Sequence, residues 1–136
     1  MRSLHLGLLA GLTLAGGASA QELGVTIHAI TTEGIGEPIG SLTTASTPSG
    51  ATFTGQVQGL PADTGKVVAG GAAGKHWDPQ DTAAHRGPEG DGHMGDVPLI
   101  VANSAGTADI AATAPRIAEV EQLHGKALMI HAGGDN

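Results

Sequence analysis

Residues 51–60 read ATFTGQVQGL, and their alternation decides the class of fold that the sequence predicts. Ala51, Phe53 and Val57 fall on one face of an extended chain, and the threonines and glutamines between them fall on the other. A period of two residues is the signature of a strand with one buried face. Pro61 lacks a backbone donor and ends the predicted strand.

Similar short stretches lie on both sides of this strand, separated by segments rich in glycine and proline. Turns are predicted at 33–38 and 47–50, and one helical turn at 117–124. The other predicted strands are 25–30, 39–44, 98–103, 108–113 and 126–132. Many short strands at regular spacing favour an all-β sandwich or barrel.

Residues 1–20 have the organisation of an export signal peptide. Arg2 precedes an apolar run at 6–15, and Ala18-Ser19-Ala20 has the small-x-small pattern of a cleavage site. The apolar run is shorter than the roughly 20 residues that span a bilayer, so no retained membrane helix is predicted. We therefore expect cleavage at the end of this segment and a single periplasmic or secreted domain at 21–136, with no membrane contact after cleavage.

Charge and composition narrow the classes of function. Without the leader the chain has 5 basic and 13 acidic residues, a net charge of −8, and no basic cluster. This balance disfavours nucleic acid and anionic membrane surfaces as partners. The chain has no cysteine, so any metal must be held by histidine, aspartate, glutamate or backbone oxygen. The aromatic residues after the leader are Phe53 and Trp77, so the core is thin and a bound metal would stabilise it.

Residues 65–96 show no periodicity and predict a long loop. The loop carries His76, His85 and His93, followed by Asp96, at spacings of nine, eight and three residues. Imidazole and carboxylate both suit zinc, and four protein ligands would leave no open coordination position, so such a site would be structural. The alternative interpretation is that these histidines are ordinary solvated side chains of a polar loop.

The same stretch carries the most specific pattern of the chain. His76 through Pro98 reads H-x-D-P-x-x-T-x-x-H-x-G-P-x-G-x-G-H-x-G-D-x-P, which resembles the zinc loop of bacterial copper/zinc superoxide dismutases. Further stretches resemble the same family: Gly40-Ser41-Leu42, Gly59-Leu60-Pro61, Ala114-Pro115-Arg116 and 126–136. The resemblance covers nearly all of the chain after the leader.

The resemblance implies an all-β fold, a Greek-key β-barrel or sandwich, with the zinc loop at about 65–98. It implies zinc ligation by His76, His85, His93 and Asp96. The family also binds copper, and its reaction is the disproportionation of superoxide to oxygen and hydrogen peroxide at that redox metal.

For the copper site, the resemblance implies two ligands in this chain. His76 would bridge zinc and copper, and His131 would bind copper. Asp135 would accept hydrogen bonds from His85 and from a copper-ligand histidine, which would fix the orientation of both rings. His28 and His124 occupy no ligand position of the family, and for each a surface or partly buried histidine is the expected role.

The sequence departs from the family pattern after Pro61. There the family continues with a strand carrying His-x-His, which supplies two copper ligands, and then a disulfide cysteine; this chain resumes the family pattern without that block. The family also extends past the position of Asn136 with a second cysteine, the active-site arginine and a terminal strand. On this comparison the barrel is incomplete, with one internal and one terminal strand missing. Copper(II) favours a tetragonal set of nitrogen ligands, so two imidazoles predict a weak copper site.

Three functions follow from this comparison. The first is an exported copper/zinc superoxide dismutase that keeps the zinc site but has weak or no activity as this chain, with superoxide as its substrate and no catalytic residue assigned. The second is a non-catalytic zinc-binding module. The third is a non-functional remnant of a dismutase gene. The sequence leaves open whether the chain forms a homodimer.

Overall fold

The computed structural model describes residues 21–60, 67–70 and 76–132. In chain order the elements are β1 (Glu22–Thr31), β2 (Gly34–Thr47), β3 (Gly50–Val57), β4 (Val67–Gly70), β5 (Leu99–Ile100), β6 (Ala108–Ala114), a 3-10 helix (Val120–Leu123) and β7 (Met129–Ala132). The predicted leader at 1–20 lies outside the described residues. Within the described ranges no helix has the length and apolar character needed to cross a membrane.

The strands form two antiparallel sheets. The first sheet has the order β1-β2-β3-β6 and the second has the order β5-β4-β7. β1, β2 and β3 follow one another as hairpins, whereas β3 pairs with the distant β6, for example at Ala51 and Ala114. The prediction of an all-β fold is therefore confirmed, and the long loop that begins at residue 76 leads into β5 of the second sheet.

The core lies on the inner face of the first sheet, where the alternation predicted for residues 51–60 is confirmed. Ala51, Phe53 and Val57 are buried, while Thr54 and Gln56 face solvent. Small aliphatic residues from the other strands and from the segments at 97–102 and 117–120 complete the core. The buried apolar residues are Ile27, Leu42, Ala51, Phe53, Val57, Val97, Ile100, Ala102, Ala108, Ile110, Ala114, Ile117 and Val120.

The predicted turn at 33–38 is wrong. The hairpin between β1 and β2 turns at residues 32 and 33, where Thr31 Oγ1 accepts a hydrogen bond from the Glu33 N–H at 3.2 Å. β2 therefore begins at Gly34 and pairs with β1 through the stretch that was predicted to turn. Pro38 is accommodated within the strand because the pairing register shifts beside it.

The predicted loop at 65–96 also contains a strand, β4. Val67 pairs with Ile100 of β5 and with Ala132 of β7, so β4 is the central strand of the second sheet. Both partners are more than 30 positions away in the sequence. A four-residue strand held by such distant partners leaves no local period to detect.

The strand predicted at 98–103 is shorter than expected and covers Leu99–Ile100. A turn follows at Asn103, whose Oδ1 accepts hydrogen bonds from the N–H groups of Ala105 at 2.9 Å and Thr107 at 3.0 Å. An asparagine that captures backbone donors in this way favours a turn over a continued strand.

The first sheet ends at β1, whose outer edge has no neighbouring strand among the described residues. A cleft of about 450 Å³ lies between this edge and the segment 123–128, and Phe53 and Ile117 contribute to its wall. An edge strand leaves alternate N–H and C=O groups without a strand partner. Within the described part of the chain, the first sheet is therefore open along β1.

Truncating the core should be costly, and Leu42, which is 3% exposed, provides the test. We expect Leu42→Ala to lower the free energy of unfolding by about 2–5 kcal/mol, through lost apolar burial and a residual cavity. The matched control is Ile35→Ala, because Ile35 is 79% exposed and should change stability by less than about 0.5 kcal/mol. Urea denaturation of both variants measures the difference. Equal stabilities would contradict the assignment of the core.

Candidate metal centre

Three histidine side chains and one aspartate from the long loop converge on one point. His76, His85, His93 and Asp96 each offer a ligand atom, and these atoms lie within 4.8 Å of one another. The Nδ1 atoms of the three histidines lie 3.1, 2.9 and 3.3 Å, in chain order, from the same oxygen, Asp96 Oδ1. The four residues that the sequence singled out are thus brought together by the fold.

Asp96 is the innermost member of this group. Its residue is 2% exposed, whereas the three imidazoles keep some access to solvent. A buried carboxylate is strongly disfavoured unless charged or hydrogen-bonding partners compensate it. The histidines surround Oδ1, and Oδ2 accepts a hydrogen bond from the backbone N–H of Arg86 at 3.1 Å.

One donor atom of the cluster has no hydrogen bond. Among the described residues, His93 Nδ1 is the buried side-chain polar atom without a hydrogen-bond partner, although Asp96 Oδ1 lies 3.3 Å away. Buried polar atoms in folded proteins nearly always have a partner, and a missing one costs about 1–3 kcal/mol. A cation among the four donors would satisfy this atom.

The spacing of the donor atoms fits a small tetrahedral ion. Ligands about 2.0–2.1 Å from one zinc ion lie about 3.3–3.4 Å apart when they form a tetrahedron. The three Nδ1 to Oδ1 distances, 2.9 to 3.3 Å, are slightly shorter than this. All four ligand atoms lie within 4.8 Å of one another, so small adjustments of the side chains would bring them around the ion.

Asp78 orders the first part of the loop. Its carboxylate accepts hydrogen bonds from Thr82 Oγ1 at 3.1 Å and from the N–H of Ala83 at 2.8 Å. Burial raises the pKa of the Asp78 carboxyl, but the hydrogen bonds from Ala83 and Thr82 outweigh that effect, so its pKa lies below its ordinary value. These bonds hold Ala83 at a positive φ of 50°, and the chain reaches His85 two residues later.

Two backbone hydrogen bonds join segments of the loop that are separate in the sequence. The N–H of His93 donates to Ala84 O at 2.9 Å, and the N–H of Gly95 donates to Trp77 O at 2.9 Å. Each bond places one ligand-bearing segment beside another. Gly92 makes the first contact possible, because a Cβ at this position would collide with the Ala84 carbonyl.

Arg116 supports the loop from outside it. Its Nη1 donates to Gly92 O at 2.8 Å and to His93 O at 3.1 Å, and its Nη2 donates to Gln80 Oε1 at 3.4 Å. The sequence singled out Arg116 as part of a family-like stretch but gave it no role. No local signal reveals a contact between residues 23 positions apart, so this function was missed.

The remaining predicted site residues are not part of the cluster. His131 lies on β7, half-buried, with its backbone paired to Val68. Asp135 lies outside the described residues, so its predicted role stays a prediction. His28 and His124 have partners of their own: His28 Nδ1 lies 2.9 Å from Gly36 O, and His124 Nε2 lies 3.1 Å from Glu121 Oε2.

The fold and the cluster together define a two-sheet antiparallel β protein with a three-histidine, one-aspartate centre in a single long loop. The sequence profile of the copper/zinc superoxide dismutase family (SODC) matches residues 12–136. The chain is 39% identical to superoxide dismutase [Cu-Zn] 2 of Salmonella typhimurium, over 100% of this chain and 88% of that protein. It belongs to the copper/zinc superoxide dismutase family.

Solved structures agree with this assignment and confirm the Greek-key β-barrel type of fold. The copper/zinc superoxide dismutase of Brucella abortus superposes with a TM-score of 0.78 at 29% identity, covering 85% of this chain and 86% of that one. The solution structure of the monomeric copper, zinc superoxide dismutase from Salmonella enterica gives a TM-score of 0.73 at 36% identity, with the same coverage.

The alignment with the Salmonella typhimurium protein also shows that this chain is the shorter of the two within the shared region. The alignment spans 153 positions, of which this chain fills 136, so 17 positions of the relative have no counterpart here. The sequence has no His-x-His segment at any position. The sequence-based expectation of a missing internal block is consistent with both observations.

The close contact at Gly92 gives a test of the centre. We expect Gly92→Ala to weaken zinc binding by about 10–100-fold, because the added methyl group forces His93 away from the segment that carries His85. The control is Gly24→Ala, since a Cβ at Gly24 would meet no atom within 4 Å. Competition with a chromophoric zinc chelator measures both affinities. A Gly92→Ala variant with unchanged affinity would show that the contact does not position the ligands.

Proposed function

We propose that this chain is an exported zinc-binding member of the copper/zinc superoxide dismutase family that has weak or no dismutase activity as this chain. The observation that carries the proposal is the convergence of three imidazole nitrogens on one buried carboxylate oxygen, Asp96 Oδ1. The leader predicted at 1–20 supports export to the periplasm or the exterior.

Zinc is the ion that the donor set favours. His76, His85, His93 and Asp96 offer nitrogen and oxygen donors in the number that structural zinc sites use. Four protein donors leave no position open for a substrate, so this ion would order the loop and stabilise the fold. Its free energy of binding would add to the stability of a core made of small aliphatic side chains.

Copper binding is less well supported than zinc binding. Copper, when bound, supplies the one-electron redox chemistry of the family, which zinc cannot provide. The residues at family copper positions are His76, which would be shared with the cluster around Asp96, and His131. His28 and His124 contact backbone or carboxylate oxygens instead. A site of two imidazoles should bind copper weakly, which is the reason to expect low turnover of superoxide.

A non-catalytic zinc-binding module is the second candidate. It is favoured by the continuity of the cluster, since all four donors come from a single loop segment, 76–96. Such a centre requires no contribution from the region around Pro61 where the sequence departs from the family. A remnant with no function would differ from both candidates, because it would fail to hold zinc as a folded protein.

Zinc binding is tested by thermal unfolding with and without a chelator. We expect zinc at 100 times its dissociation constant to stabilise the wild-type chain by about 2.7 kcal/mol, and EDTA to reverse the gain. Asp96→Asn should raise the dissociation constant on the order of 100-fold or more, because even residues behind the ligands contribute 10–100-fold.

The matched control is Asp91→Asn, which makes the same chemical change at a side chain that is 86% exposed. It should bind zinc as the wild type does. A wild-type melting temperature that responds neither to zinc nor to EDTA would overturn the proposal and favour the remnant.

An assay of dismutase activity distinguishes a weak enzyme from a non-catalytic zinc-binding module. The purified chain, loaded with zinc and then titrated with copper, should accelerate superoxide decay far less than the Salmonella typhimurium relative measured in the same assay. His131→Ala should remove whatever copper-dependent rate remains, because it leaves one residue, His76, at a family copper position. Turnover equal to that of the relative would refute the prediction of weak activity, and none at any copper concentration would favour the module.

A further inference from the structure

Arg116 is flanked in the sequence by two deeply buried residues. It lies between Ala114, the last residue of β6, and Ile117, and each of these is 1% exposed. The Ile117 carbonyl accepts a hydrogen bond from the N–H of Ala51 on β3 at 2.7 Å. The backbone of Arg116 is therefore fixed to the first sheet, and its side chain extends from a rigid base.

The guanidinium group donates hydrogen bonds to the loop. Nη1 bridges the successive carbonyl oxygens of Gly92 and His93, and Nη2 reaches Gln80. None of the ion pairs found among the described residues includes Arg116. The planar fork of arginine suits this task, since its donors have fixed directions and keep their charge at any relevant pH.

The two bridged carbonyls lie within the turn that carries half of the donor set. The His93 carbonyl belongs to a ligand residue and also accepts the N–H of Asp96 at 3.4 Å. The Gly92 carbonyl belongs to the residue packed against Ala84, next to His85. Fixing both peptide planes therefore fixes where His93 and Asp96 point, and how close they stand to His85.

We infer that Arg116 is a positioning residue of the metal centre. It holds the turn from Gly92 to Asp96 in the arrangement that a tetrahedral ion requires, and it does so from the first sheet, outside the zinc loop. This inference rests on the proposed function, because it assumes that the four donors bind zinc. Arg116 thereby determines the coordination geometry of the centre as well as the affinity.

A purely structural role for Arg116 would have a different signature. An arginine that only joined the loop to the sheet would, when removed, lower the stability of the protein and its apparent metal affinity together. The ion, once bound at saturation, would still have its normal coordination. A positioning residue changes the coordination itself. Cobalt(II) reports this difference, because its visible absorption is intense in tetrahedral sites and weak in sites with more ligands.

The experiment compares Arg116→Met, Arg116→Lys and the charge-matched control Lys126→Met in the full-length chain. Zinc affinity is measured by chelator competition, and the visible spectrum is recorded at saturating cobalt(II). We expect Arg116→Met to lose about 10–100-fold in zinc affinity and to give a weaker, shifted cobalt spectrum. Arg116→Lys, which keeps the charge but not the fork, should recover part of both. Lys126 contacts the Trp77 ring and none of the four donors, so Lys126→Met should match the wild type.

Each outcome supports or overturns the inference. A wild-type spectrum for Arg116→Met at saturation would overturn it, even if the affinity fell, and so would unchanged affinity. If Arg116→Met does not fold, Arg116→Lys decides, because wild-type affinity and spectrum in that variant would show that the fork is not needed. A wild-type chain that binds neither zinc nor cobalt(II) would refute the proposed function and this inference together, which distinguishes that failure from a failure of Arg116 alone.

Discussion

The architecture of the loop depends on a single buried oxygen atom. Asp96 Oδ1 is the point at which three imidazole nitrogens meet, and the carboxylate that carries it is shut off from solvent. A carboxylate in that position is tolerable because cationic or hydrogen-bonding groups surround it. The arrangement leaves His93 Nδ1 without a hydrogen bond, which is the state expected of a ligand set rather than of a polar core.

The loop is held in place by its own polar contacts and by a connection to the first sheet. Gly92 lets the backbone at His93 approach Ala84 within hydrogen-bond distance, and Asp78 orders the first part of the loop through its bonds to Thr82 and Ala83. Arg116 connects the far end to the first sheet. Little of this support uses large apolar side chains. The segment is therefore ordered by directional polar contacts, each of which depends on the others being in place.

Sequence reasoning succeeded where the signal was local or highly specific. The alternation around Phe53 fixed the buried face of β3, and the spacing of the loop histidines singled out the four residues that the fold brings together. It failed where the local structure depends on residues that are far away in the sequence. β4 forms because strands on either side of it pair with it, and residues 34–38 continue β2 because they pair with β1 instead of turning. The role of Arg116 is invisible without the fold, because its acceptors are backbone carbonyls, which have no sequence signature.

The continuity of the loop has a consequence for how fast an ion held by the four donors would exchange. His76 and Asp96 are 20 positions apart, whereas Ala51 and Ala114, which join β3 to β6, are 63 apart. By loop-closure entropy alone, the shorter connection costs about 1 kcal/mol less to form. A local opening of the loop can expose all four donors while the sheets stay paired. We therefore expect the ion to exchange with solvent through sub-global opening, at a rate independent of unfolding of the whole domain.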